Sequence, residues 1–91
     1  VPLMSSGCVV DRKSCRSGEK ELEYFLLASP VLERMSYSIM IVSRQKNGDR
    51  FSQVADITCD ESLARSWFEK LFAASVRPEN LGELVYELLT R

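Results

Sequence analysis

Histidine is missing from this chain of 91 residues, and its absence closes more functions than any residue present opens. Without imidazole, neither Ser-His-Asp nor Cys-His catalysis can be assembled within one chain. A histidine-based pH switch is equally excluded. Cysteine is scarce: Cys8, Cys15 and Cys59 complete the set. An odd count argues against a closed disulfide framework. With no histidine and no Cys-x-x-Cys pair, the ligand spacing of a structural zinc site is missing too. Free thiols are expected. Cys59 reads as a small buried residue at a strand-to-helix junction, and a hairpin between Cys8 and Cys15 would bring those two face to face. No apolar run approaches a membrane span, and no signal-peptide pattern opens the chain. The expected setting is the cytoplasm, without membrane contact. Net charge is −1, so no strong global pull toward nucleic acid or lipid is expected. No cofactor is implied.

What is present suits one small domain. Hydrophobic residues make up 45 % and charged residues 27 %, the balance of a folded globular chain. Residues 1–7 read as a flexible leader and residues 8–91 as a single α+β domain. A short strand is expected from Cys8 to about Lys13, followed by a turn over Ser14–Gly18. A second strand runs from Glu21 to Ala28, where Ser29-Pro30 should break it because proline cannot donate to a ladder. Val31–Ser36 reads as a connection. Tyr37–Arg44 is the clearest strand. Asn47-Gly48 then predicts a tight hairpin with positive φ at both turn positions, and Phe51–Ile57 returns.

Two helices close the chain. Thr58 and Glu61 match a capping box, with Asp60 the rival N-cap. Leu63, Ala64, Trp67, Phe68, Leu71 and Phe72 recur at helical spacing to about Ala74. Pro78 suits a first helical position, and Leu81, Leu84, Val85 and Leu88 form the stripe of the second helix. The predicted fold is α+β: an antiparallel four-stranded β-meander with two C-terminal α-helices packed on one face.

The two middle strands are apolar on both faces. Leu22, Tyr24, Leu26 and Ala28 alternate with Phe25 and Leu27, while Tyr37, Ile39 and Ile41 alternate with Met40 and Val42. A sheet with one face in water should alternate apolar with polar. Two helices cover one face, so Phe25, Leu27, Met40, Val42 and Val54 are candidates for an interface on the other. The reading is a non-enzymatic protein–protein interaction module, homodimeric through that open face. The competing cover is the chain itself, through the leader or Val31, Leu32 and Met35.

Charge is segregated. Residues 11–20 sum to +2, residues 44–50 to +2 and residues 51–91 to −3. Arg12, Lys13, Arg16, Arg44, Lys46 and Arg50 gather near two turns expected at one end of the sheet. They form the alternative reading, a nucleic-acid- or anion-binding edge. No aromatic is interleaved with them for base stacking, so nucleic acid ranks below a protein partner. Glu79, Glu83 and Glu87 at i+4 spacing read as a solvated helix face rather than an acid–base cluster.

Tyr37-Ser38-Ile39, Asp56-Ile57-Thr58-Cys59-Asp60 and Val76-Arg77-Pro78-Glu79-Asn80-Leu81, with Val85 and Leu89, resemble a small bacterial (Firmicutes-type) domain family of unknown function. That family has a strand-strand-strand-helix-helix order and no assigned activity. The similarity covers roughly residues 20–90. Ser38 stands where the family pattern has glycine and Asn80 where it has histidine. The resemblance implies the order of elements and a bacterial cytoplasmic setting, and assigns no site residue.

Overall fold

The computed structural model describes residues 8–90; the expected leader, residues 1–7, lies outside the described residues. Strand β1 (Cys8–Ser17) begins a meander continued by β2 (Lys20–Val31), β3 (Arg34–Arg44) and β4 (Arg50–Thr58). Helices α1 (Glu61–Ala73) and α2 (Pro78–Leu89) follow. The sheet is antiparallel in the order β1-β2-β3-β4, as its alternation predicts. Both helices lie on one face, α1 over β2, β3 and β4, and α2 chiefly over β4. That face holds the core. Leu22, Tyr24, Leu26 and Ala28 from β2 meet Tyr37, Ile39 and Ile41 from β3, and Ala64, Trp67, Phe68, Leu71, Leu81 and Val85 close over them.

Several boundaries differ from expectation, each for a local reason. β1 runs to Ser17 instead of Lys13, because the β1–β2 reversal is confined to Gly18 and Glu19, with Gly18 at φ 64. β2 does not stop at Ser29-Pro30 but continues to Val31. The described part of β1 reaches only Ala28, so beyond it β2 is paired on one side among the described residues. Val31 and Arg34 close the β2–β3 hairpin. Hydrogen-bonded and non-bonded pairs alternate along an antiparallel ladder, so the nitrogen of Pro30 points to that vacant side, where a missing donor costs little. Residues 31–36 are therefore not a separate connection. Only Leu32 and Glu33 turn, with Leu32 at φ 56 and 96 % exposed.

The β3–β4 turn is longer than the Asn47-Gly48 signal suggests. Gly48 N–H donates to the carbonyl of Gln45 at 3.2 Å, which makes Lys46 and Asn47 the central residues. Gly48, at φ 119, lies just past them. Asp60 wins the cap of α1: its carboxylate accepts from Leu63 N–H at 3.2 Å, while Thr58 accepts from Asp60 N–H. Cys59 is exposed rather than buried, at the bend between β4 and α1. Cys8 and Cys15 lie on the same strand, so no hairpin opposes them, and all three thiols are free.

One side chain fastens the sheet to the link between the helices. The Tyr24 hydroxyl donates to the Val76 carbonyl at 2.9 Å, and its ring meets Phe72 edge-on at 5.3 Å. Burial, with a smaller contribution from Cys15, pushes the Tyr24 hydroxyl up from 10.0 to about 12. A raised folded value stabilises fully below the unfolded value and is lost as pH rises through the folded one. Tyr24→Phe is expected to cost about 1 kcal/mol at neutral pH, the usual worth of such a hydrogen bond. The wild-type advantage should then shrink between pH 10 and about 12. Urea denaturation at pH 7 and pH 11 checks both; a difference constant across that span would count against it.

Candidate interaction surface

Strand pairing sets the side chains of the face that neither described helix covers in cross-strand rows. Arg12, Phe25, Met40 and Gln53 form one row; Ser14, Glu23, Val42 and Phe51 form the next. Arg16, Glu21 and Arg44 lie toward the turns, and Val9, Leu27 and Ser38 lie on the other side. Phe25, Leu27, Met40 and Val42 thus share this face as the alternation predicts.

Val54 does not join them. It pairs with Ile39 and packs against the helix-covered core. Phe51, opposite Val42 and 70 % exposed, takes that place. The reason is parity. The last β3–β4 pair, Ser43 and Arg50, encloses six residues, and that even number sets even-numbered β4 residues against odd-numbered β3 residues, so Val54 must share the face of Ile39 and Ile41.

The charged residues of this face are already organised. Glu23 is 4 % exposed although no helix lies over it. Arg12 donates to its Oε2, from Nε at 3.1 Å and also through Nη2. Arg44 Nε donates to its Oε1 at 2.7 Å, and Arg44 Nη1 reaches Asp49 at 3.2 Å. The hydrogen bonds from Arg12 and then Arg44 hold the Glu23 carboxyl below its usual 4.5, against the opposing effect of burial. Arg12 also lies 5.7 Å from the centroid of the Phe25 ring, a cation–π distance. Two arginines, Glu23 and Asp49 form a group with no net charge, laid across three strands and the β3–β4 turn. The charge pattern alone did not reveal it, because residues 12, 23, 44 and 49 meet only once the register is known.

This changes the standing of the basic turns. The two turns do come together: Glu19 and Lys20 share a depression of about 190 Å³ with Gln45, Lys46 and Asn47. The six cations do not form one patch. Arg12, Arg16 and Arg44 belong to the uncovered face, whereas Lys13 and Arg50 belong to the helix side. Lys13 Nζ donates to Glu69 at 2.8 Å and sits 5.3 Å from the Phe72 ring centroid. With Arg12 and Arg44 held by Glu23, only Arg16, Lys46 and Arg50 of the six lack an acidic partner among the described residues.

Glu79, Glu83 and Glu87 are exposed along α2. No group of three Cys, Asp or Glu side chains is placed to hold a metal ion among the described residues, and no helix there is long and apolar enough to cross a membrane.

Fold and surface together define an α+β domain with a four-stranded antiparallel sheet, two helices on one face and a mixed apolar and ion-paired opposite face. The chain belongs to the family of unknown function DUF6514, whose family model matches residues 8–91. No curated protein and no solved structure matches it.

Proposed function

We propose that the protein is a non-enzymatic interaction module that forms a homodimer by stacking the uncovered sheet faces of two copies. The observation that carries the reading is a sheet with helices on one side and Phe25, Leu27, Met40, Val42 and the exposed Phe51 on the other. Four strands about 4.8 Å apart and about nine residues long present roughly 600 Å². Two such faces bury roughly 1,200 Å², at the lower bound for a specific association. The ion group favours the same use. Glu23, Arg12, Arg44 and Asp49 are paired within one subunit, so covering them traps no uncompensated charge, the costly outcome in a dry interface. Three free thiols suit a reducing compartment, and the cytoplasm is the proposed setting.

Sedimentation across a dilution series tests the reading. The wild type should shift from dimer to monomer on dilution, and Phe51→Glu should weaken association by about tenfold or more. Phe51 is 70 % exposed in the single subunit, so the variant should keep its far-ultraviolet spectrum and melting temperature. A wild-type monomer of 10.4 kDa at every concentration would refute the proposal.

A further inference from the structure

A second surface lies at the edge of the sheet. Among the described residues β1 and β4 are the two edges, and they are guarded differently. β1 carries Arg12, Lys13 and Arg16, the kind of charge that discourages pairing by another chain. β4 has neither lysine nor proline. Its one irregularity, around Asp56 at φ 55, falls at the far end, so Arg50–Val54 is a regular run with one side unpaired. Beside that run a groove of about 630 Å³ lies between β4 and α2, its lining including Asp49, Arg50, Phe51, Glu79, Gly82 and Glu83.

Gly82 is the telling residue. It sits inside α2, where glycine costs about 1 kcal/mol relative to alanine. Nothing among the described residues requires it there: a methyl group on Gly82 would meet no atom of theirs within 4 Å. Its effect is to keep the groove open beside the unpaired edge, as close approach by another backbone demands. The walls carry Glu79 and Glu83, neither of them in an ion pair among the described residues, and Asp49, which already binds Arg44. Arg50 is the single base of the lining.

We propose that an extended, basic peptide segment of another protein adds to the β4 edge as a fifth strand, its backbone passing Gly82 and its cationic side chains meeting Glu79 and Glu83. Main-chain hydrogen bonds would supply affinity and the alternate side chains specificity, as in strand addition generally. This surface lies apart from the stacked sheet faces, apart from Phe51, which borders both.

Three fluorescein-labelled ten-residue peptides test it, alternating threonine with lysine, glutamine or glutamate, by anisotropy at low salt. The lysine peptide should bind at least about tenfold tighter than the glutamate peptide. Gly82→Leu should weaken that binding by about tenfold without lowering the melting temperature, since leucine is the better helix former. Glu83→Lys should weaken it as well. Glu33→Lys, an identical charge change at the distant β2–β3 turn, should not, and binding should slow hydrogen exchange at β4 amides. Failure of all three peptides to bind, equal effects of Glu83→Lys and Glu33→Lys, or full binding by Gly82→Leu would each overturn the proposal. So would self-association that Gly82→Leu abolishes, because the occupant would then be a second copy.

Discussion

Phe68→Ala is expected to destabilise the domain by about 3–5 kcal/mol, the range for deleting a fully buried phenylalanine. Phe68 is 0 % exposed and belongs to the cluster where α1 meets Tyr24, Leu26, Ile39 and Ile41. Alanine is the best helix former, so the substitution leaves α1 its local preference and removes only its grip on the sheet. A domain of this length has roughly 5–14 kcal/mol in total, so about a fifth of its stability, or more, should go. Urea denaturation measures it as a lower midpoint with a preserved slope. The consequence reaches the interaction surface. The two middle strands carry apolar residues on both faces, and among the described residues α1 is one of two helices that cover the core side. A variant with a loosened α1 should expose a second greasy face and aggregate when heated, which light scattering would record. An unchanged midpoint would mean that α1 is not the lid that its buried stripe makes it.

The covered face was the most readable part of the chain, because two periodicities meet there. Leu22, Tyr24, Leu26 and Ala28 repeat every second residue, and Ala64, Trp67, Phe68 and Leu71 repeat at helical spacing. Each pattern needs a partner surface of the other kind. Trp67 and Phe68, about 100° apart on the helix, are both buried, as a helix pressed broadly onto a sheet permits. Less readable were features that depend on pairing between distant strands. Val54 is apolar and lies in a strand, so composition alone could not separate it from Phe51; only the parity of the loop does. Pro30 reads as a strand end from its chemistry, yet an edge without a neighbour among the described residues tolerates it. Glu23 stands between Leu22 and Tyr24 like any polar residue on a wet face. Its near-complete burial comes from two arginines, 11 residues before it and 21 after it, and no local pattern foretells that. The open groove is not read from the sequence, although Gly82, a lone glycine inside a helix, was the signal that could have pointed to it.

The ion group gives the second large effect, and its sign with pH is fixed. Glu23→Gln keeps the size of the side chain and removes its charge, leaving Arg12 without its counter-ion and Arg44 with Asp49 alone. The expected loss at neutral pH is about 2 kcal/mol, within the range for hydrogen bonds to a charged group. It falls short of the about 3–5 kcal/mol for a fully buried pair, because the Arg12 and Arg44 side chains are 62 % and 48 % exposed and can turn to water. The arginines hold the folded Glu23 carboxyl below 4.5. A depressed folded value stabilises above the unfolded value and is lost as pH falls through the folded one. The gap between wild type and Glu23→Gln should therefore be constant from pH 7 to about pH 5, and should close in more acid solution as Glu23 takes up its proton. Urea midpoints at pH 7, 5 and 3 measure this, and a gap undiminished at pH 3 would show that the carboxylate charge is not what the two arginines hold. The same substitution links stability to association. In a stacked dimer it would cover two arginines without their shared partner, so Glu23→Gln should weaken self-association as well as folding. Glu21→Gln, one row nearer the turns and exposed, should do neither.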